Sequence, residues 1–280
     1  MKKISIITPC FNAQSYIAET VLSVLTQRAV LSGRVELQYI ICDGGSSDAT
    51  LEIIAGILAK RPESSITLLS EKDSGLYDAL AKGLQLADGD ICAYINAGDF
   101  YNEHAFDVVL DIFEQHKISW LTGMTVRCND RSQIVSAIMP CGYRNRLLKT
   151  GFYGAKLPFV QQESTFWAGS LNRSLDYQAL SQLSYAGDYF LWYQFADKSR
   201  LFLAEAQLGT FRIHQGQISE ERSNYFREIT SFCRKPSWQD RLVACYDRMV
   251  WHLPARLQKL FRCIPVIRYN HSSQSWDMKY

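Results

Sequence analysis

Short β-branched runs alternate with helical periodicity through the first 118 residues. Ile4–Thr8 is an apolar run closed by Pro9 and reads as a buried strand. Tyr16–Gln27 sets Ala18, Val21, Leu22 and Leu25 at helical spacing. Leu37–Cys42 is a second strand, ending at Asp43-Gly44-Gly45, and Ser46, Ser47 and Asp48 offer N-cap oxygens for a helix through Leu58. Strands over Ile66–Leu69 and Ile91–Ile95 bracket a helix over Tyr77–Ala87, and a fourth helix runs from Ala105 to Gln115. This alternation predicts a parallel sheet with helices on both faces. Right-handed crossovers then bring the strand C-termini to one edge. Asp43, Asp73 and Asp99 each follow a predicted strand and should meet there.

Beyond residue 118 the periodicity changes. Trp120–Val126 and Gln133–Ala137 read as strands separated by Asn129-Asp130, a hairpin pattern. Tyr189–Ala196 reads as a helix and Gln207–Phe211 as a strand, so the second half looks mixed and added to the same sheet. Residues 222–268 alternate basic and large apolar groups around Pro236, Pro254 and Pro265, which predicts short helices. The expected class is α/β, a parallel or mixed sheet flanked by helices. One domain spans 1–221, with halves at 1–118 and 119–221, and 222–280 is a basic, aromatic helical extension.

Composition changes this picture in two places. Hydrophobic residues make up 47% and charged residues 21% of the 280, ordinary for a chain with a sizeable core. The net charge of +2 is unevenly distributed: Arg222 to Arg268 holds ten Lys/Arg against three Asp/Glu, which leaves about −5 for residues 1–221. A basic tail on an acidic body points to an anionic partner. Eight cysteines (Cys10, Cys42, Cys92, Cys128, Cys141, Cys233, Cys245 and Cys263) form no Cys-x-x-Cys pair and have no His cluster beside them, so a zinc site is not expected. Cys10, Cys42 and Cys92 lie in or beside apolar strands and read as buried free thiols, which suits a reducing, cytoplasmic compartment. The apolar run after Lys2-Lys3 is too short for a signal peptide. No apolar run reaches the roughly 18 residues a membrane-spanning helix needs.

The candidate chemistry concentrates in residues 71–99. Glu71-Lys-Asp73-Ser-Gly75-Leu-Tyr77-Asp78-Ala opens a helix with an acidic glycine loop, and the next apolar run ends in Asn96-Ala-Gly98-Asp99. Carboxylates at the C-terminal end of a buried strand sit where an open α/β sheet binds its ligand. A carboxylate beside a glycine that lets a diphosphate approach is a natural seat for a divalent cation. Together with Thr8-Pro9-Cys-Phe-Asn12 and Asp43-Gly-Gly-Ser-Ser-Asp48, these motifs stand in the order and spacing of family 2 glycosyltransferases, which the chain resembles. The resemblance is specific over residues 1–100, looser over 160–220 and absent beyond 222. It implies the GT-A fold, a nucleotide-binding sheet with an attached acceptor region.

The resemblance also implies roles. Asp43 and Asp73 would hold the nucleoside of a sugar nucleotide, by default a UDP-sugar. On the residues alone, the cap of a turn is the plain alternative for Asp43. Pro9 and Asn12 would shape the loop beneath the nucleotide, and Gly75, Asp78 and Asn96 would belong to the nucleotide-binding set. An Asp78–Lys82 surface pair is the plain alternative for Asp78. Asp99 matches the family's acidic metal motif, with Gly98 at the other acidic position, so Mn²⁺ or Mg²⁺ would be completed by diphosphate and water. Asp188, in Tyr185-Ala-Gly187-Asp188-Tyr-Phe-Leu191-Trp192, would be the base that deprotonates an acceptor hydroxyl. Its position also suits a helix N-cap. Glu163, in Gln161-Gln162-Glu163-Ser164, is the rival base. Phe211-Arg212-Ile-His214-Gln-Gly-Gln217-Ile-Ser219 resembles a late motif in which His214 would bind metal or diphosphate and Arg212 the diphosphate. His214 as a structural histidine and Arg212 as an offset to the acidic body are the alternatives.

These roles amount to an inverting, metal-dependent transfer of sugar to a glycan or lipid-linked acceptor in surface-polysaccharide biosynthesis. The interleaved aromatics and bases of 222–268 fit an anionic membrane surface, or a helical subdomain with its basic side in water. No recognition motif supports nucleic acid. A nucleotide-sugar-binding scaffold without catalysis is the alternative function. A dinucleotide oxidoreductase is disfavoured by Pro9-Cys-Phe-Asn12, which lacks the Gly-x-Gly-x-x-Gly turn.

Overall fold

β1 (Lys2–Cys10) is buried from Ile4 onward and forms the middle of the nucleotide-side sheet. The computed structural model describes all residues except 62–64, 215, 218, 219, 263 and 280. Gln215, Ile218 and Ser219 of the late motif, and Cys263, therefore lie outside the described residues. After β1 come α1 (Ile17–Leu25), α2 (Arg28–Leu31), β2 (Val35–Asp43), α3 (Thr50–Leu58), β3 (Ile66–Ser70), α4 (Leu76–Leu86), β4 (Ile91–Tyr94), β5 (Phe100–Tyr101) and α5 (Ala105–His116). The second half supplies β6 (Trp120–Thr122), β7 (Thr125–Cys128), β8 (Ile134–Ile138), α6 (Asn145–Leu148), β9 (Thr165–Ala168), α7 (Gly169–Asn172), α8 (Tyr177–Ser181), α9 (Gly187–Phe195), β10 (Phe202–Ala204) and β11 (Gly209–Arg212). The chain closes with α10 (Arg222–Phe232), α11 (Trp238–His252), α12 (Ala255–Phe261), β12 (Val266–Asn270) and β13 (Ser275–Lys279).

Among the described residues the main sheet has nine strands in the order β13-β12-β10-β6-β9-β4-β1-β2-β3. β1 is parallel to β2 and β4, and β2 to β3, as the alternation predicts. β9 runs antiparallel between β4 and β6, which makes the sheet mixed at the expected half-way point. A smaller sheet, β5-β11-β7-β8, contains the expected hairpin β7–β8.

Three expectations need correction. Pro9 does not end its strand: it pairs with Cys42, beyond the last β4 pair at Ile7–Tyr94, where its missing N–H interrupts no β4 ladder. Trp120–Val126 is not one strand. It divides at Gly123, where a Cβ would stand 2.7 Å from the Ala206 carbonyl, and β6 stays in the main sheet while β7 enters the small one. The segment after 222 is not wholly helical, because β12 continues the main sheet beside β10 and β13 folds back on it. The sequence shows no alternation there: the neighbours Val266 and Ile267 are both buried, and Arg268 pairs with Glu205.

Helices cover the sheet and position its edge. α4 presses on β1 and β2 through Gly83, where a Cβ would lie 2.5 Å from Ile7 Cγ2 and 2.9 Å from Cys42 Sγ. α9 is buried on most sides, and Trp192 stacks on Trp120 with ring centroids 5.7 Å apart. Cys10, Cys42 and Cys92 are buried free thiols, as expected, whereas Cys245 is exposed. No helix among the described residues is long and apolar enough to cross a membrane.

Alanine at Gly83 tests the α4 packing. Alanine is the better helix former by about 1 kcal/mol, yet the stiff Ile7 side chain leaves it no room, and overpacking costs about 1–3 kcal/mol. Urea unfolding of Gly83→Ala should show lower stability than the parent, and a gain would contradict the close approach.

Candidate active site

The C-terminal ends of β1, β2 and β3 carry interlocked loops. Asn12 adopts a left-handed φ of 47°, its N–H donates to Ser46 Oγ at 2.8 Å, and its Oδ1 accepts the Ser47 N–H at 2.9 Å. Asp43 is buried at the end of β2. Its carboxylate accepts N–H groups of Gly45 and Ser46 at 3.1 Å and the Ser70 hydroxyl at 2.8 Å, with the Ser46 hydroxyl on the other oxygen. These donors occupy most of its lone pairs, so Asp43 holds the loop rather than presenting an open acceptor. Asp73 lies beside it: a Cβ on Gly44 would stand 2.5 Å from Asp73 Oδ2. Asp73 Oδ1 accepts the Gly75 N–H at 2.9 Å, and burial raises its carboxyl above the ordinary range. Gly75 has φ 130°, a conformation glycine tolerates, and begins α4. Asp78 Oδ2 accepts the Ser74 N–H at 3.0 Å and lies 3.4 Å from Lys82, the surface pair anticipated from their spacing.

At the end of β4, Gly98 has φ 119°, which accounts for glycine where the family places an acid. Asp99 is buried. Its Oδ1 accepts the Arg212 N–H at 2.9 Å, and its own carbonyl accepts the Thr20 hydroxyl at 2.7 Å. Burial pushes its carboxyl up to about 7, against the pull of the Arg212 N–H and guanidinium. The Asn96 Nδ2 donates to Gln162 Oε1 at 3.1 Å, while Asn96 Oδ1 is buried without a hydrogen-bond partner among the described residues.

Arg212 corrects an expectation. Its guanidinium is buried and donates to the Gly98 carbonyl (2.8 Å), the Asn129 and Asp130 carbonyls (3.1 and 3.2 Å), Ser132 Oγ (3.1 Å) and Glu19. All five N–H donors are thus committed, and none is left for a diphosphate. The same side chain ties the Asp99 turn to α1 and to the β7–β8 turn. The His214 ring packs at a tilt against Tyr16, with centroids 5.3 Å apart, and the Tyr16 ring centroid also lies 4.6 Å from the Arg212 guanidinium carbon.

A cation would meet a sparse donor set. No group of three or more His, Cys, Asp or Glu among the described residues could hold one. Two oxygens of the Asn96–Asp99 turn nonetheless have the required character: the under-compensated Asp99 carboxylate and the orphaned Asn96 Oδ1. They fit a hard divalent ion that takes the rest of its shell from a diphosphate and water.

The acceptor half brings two further acids to this edge. Glu163 is buried, and both burial and the Asp99 charge hold its carboxyl well above the usual range. Asp188 lies in the first turn of α9, inside the helix rather than at its cap. Burial raises it to about 7, offset in part by N–H groups of the first turn and by the Tyr225 hydroxyl, which donates to Oδ2 at 3.2 Å. Asp188 Oδ1 is buried without a hydrogen-bond partner among the described residues. The buried Tyr94 phenol feels the charges of Asp188, Glu163 and Asp99 together.

α9 has no side-chain cap, and the N–H groups of the segment leading into it are met by another residue. Glu228 of α10 accepts the N–H groups of Ser184, Tyr185 and Ala186 at 2.8, 2.8 and 2.6 Å. Tyr77 of α4 donates to the Tyr185 carbonyl at 3.0 Å and lies flat on Gly187, where a Cβ would come within 2.2 Å of its ring. Neither Tyr225, Glu228 nor the bridging role of Tyr77 was anticipated. The i, i+3 spacing of Tyr225 and Glu228 marks a shared helix face, but nothing in the chain says what that face meets.

A mixed sheet with acids gathered at its strand ends defines the class, and the fold is the GT-A fold. It superposes on Staphylococcus aureus TarS 1–349 in complex with UDP-GlcNAc with a TM-score of 0.62 at 14% identity, covering 92% of this chain and 78% of that one. The mannosyltransferase PcManGT of Pyrobaculum calidifontis, solved with GDP-Man and Mn²⁺, gives a TM-score of 0.58 at 14% identity, over 92% and 71% of the two chains. The profile described as Glycosyl transferase family 2 matches residues 5–160, and the chain belongs to that family. Chondroitin synthase of Escherichia coli is 30% identical over 112 residues, 40% of this chain and 15% of the relative. Dolichyl-phosphate beta-glucosyltransferase of Dictyostelium discoideum is 26% identical over 156 residues, 54% of this chain and 47% of the relative. The chain thus spans less than half the length of either relative.

Removing the Arg212 side chain should destabilise the fold by about 1–3 kcal/mol, the cost of leaving the Gly98, Asn129 and Asp130 carbonyls without their donor, while the half-exposed Glu19 returns to water. Urea unfolding of Arg212→Ala measures this, and a loss below about 1 kcal/mol would show that the arginine is not the tie described here.

Proposed function

We propose that the chain is an inverting glycosyltransferase that moves a sugar from a nucleotide-sugar donor, a UDP-sugar by default, to a hydroxyl of a glycan or lipid-linked acceptor in surface-polysaccharide biosynthesis. The observation that carries this reading is Asp188, with one oxygen held by Tyr225 and the other unpartnered, in a neighbourhood that also contains Glu163 and Asp99. The nucleotide sugars bound by TarS and PcManGT support the donor class. The buried free thiols suit a reducing, cytoplasmic setting.

Asp73 accepts hydrogen bonds from the nucleoside, while Asp43, Asn12 and Pro9 shape the loop beneath it and Gly75, Asp78 and Asn96 flank the diphosphate. Mn²⁺ or Mg²⁺, when bound, would offset charge on the leaving diphosphate, and Asp99 would hold it, with Asn96 and His214 as further donors. Asp188 takes the proton from the acceptor hydroxyl as that oxygen attacks the anomeric carbon. The bond from that carbon to the diphosphate breaks, its electron pair leaves with the nucleotide, and in-line attack inverts the centre. A base works best with its pKa near the operating pH. Asp188, at about 7, meets that condition, whereas burial and the Asp99 charge hold the Glu163 carboxyl well above the usual carboxylate range.

The sparse cation donors favour one alternative, a nucleotide-sugar-binding protein that does not transfer. Donor turnover that requires Mn²⁺ and stops with chelator would exclude it.

Asp188→Asn should lower transfer by about 10²–10⁴-fold, the usual weight of a general base, while UDP binding measured by calorimetry is retained. Near-parental turnover would remove Asp188 from the mechanism. A base must be unprotonated to act, so kcat/KM should fall as pH drops through about 7. In Tyr225→Phe the hydroxyl that lowers the Asp188 pKa is gone, so the acid limb should move to higher pH. An unmoved limb would separate that limb from Asp188.

A further inference from the structure

The outermost line of α11 is apolar. Trp238, Leu242, Cys245 and Met249 recur at i, i+4, i+7 and i+11 and form one stripe. Trp238 is 70% exposed and Leu242 62%. The opposite side, through Asp240, Ala244 and Val250, is the side buried against the body. α12 turns back along α11, with the Tyr246 hydroxyl donating to the Phe261 carbonyl at 3.2 Å and Gln258 Nε2 donating to the Trp251 and Leu253 carbonyls. It adds exposed Leu257, Leu260 and Phe261, Leu260 at 75%.

Charge selects what covers this face. Arg241 and Arg248 run along one side of the α11 stripe, and Arg256 and Lys259 lie beside the exposed leucines of α12. All four are exposed, and none makes an ion pair among the described residues. Both acids of α11 are turned to the body: Asp240 is held by Arg146 and Arg234, and Asp247 by Arg144. α12 has no acid. The face therefore offers large apolar groups and cations with no carboxylate among them.

We propose that the α11–α12 face docks in the plane of an anionic lipid bilayer, with Trp238, Leu242, Met249 and Leu260 at the headgroup–acyl boundary and the four cations on the headgroups. A bilayer answers both features, since apolar area and basic charge together set interfacial binding. A second copy would bring like charges together with no acid to offset them. The proposal does not depend on sugar transfer.

Flotation of the full chain with vesicles tests it. Binding should be strong on phosphatidylglycerol-containing vesicles, weak on pure phosphatidylcholine and weaker as salt rises. Leu242→Gln with Met249→Gln, at exposed positions, should lower partitioning about tenfold or more with an unchanged thermal melt. Arg241→Glu with Arg248→Glu should remove the preference for phosphatidylglycerol. Failure to bind anionic vesicles at low salt would overturn the proposal, as would binding that neither pair alters. A vesicle-inert protein whose dimer in sedimentation velocity is lost in Leu242→Gln/Met249→Gln would instead assign the face to a second copy.

Discussion

Carboxylates buried without full compensation are the constraint around which this edge of the sheet is arranged. Removing an anion from water is costly unless hydrogen bonds or opposite charge replace the solvent. Asp43 meets that requirement through four loop donors. Asp99, Glu163 and Asp188 do not, and each is pushed upward in pKa, with burial as the leading cause. Arg212 is the main cation within the group, yet its guanidinium donors go to backbone carbonyls, Ser132 and Glu19, and only its backbone N–H reaches one of the three acids, Asp99. Perturbed acids of this kind cluster where chemistry is done.

The arrangement needs parts distant in the chain. Glu228 and Tyr225 on α10 hold the approach to α9 and its Asp188, and Tyr77 on α4 ties that approach to the nucleotide side. β12 and β13 close the sheet beyond β10. The segment after 222 is therefore structural support for the candidate site as well as the bearer of an exposed apolar and basic face.

The long strands and helices were legible because burial dictates their periods: β1, β2, α4 and α5 follow the apolar spacing to within a few residues. The short strands β5, β9, β10 and β12 were not legible, since two to five residues carry no period of their own and neighbours decide their pairing. Asp73 and Asp99 could be placed because both follow predicted strands. Arg212 was misjudged because an arginine beside a motif reads as a ligand for phosphate. Only tertiary contacts reveal that the turns around Gly98 and Asn129 leave carbonyls for it to satisfy. Asp188 was open to a capping role for a similar reason: the competing carboxylate, Glu228, lies forty residues further on.

The central claim is that the fold holds Asp188 as a proton acceptor poised near neutrality. Carbon-13 NMR titration of the aspartate carboxyl groups, with Asp188→Asn to assign the resonance, reads this directly. The account predicts that Asp188 titrates at about 7 in the free protein. A midpoint near the ordinary aspartate value of about 4 would contradict it.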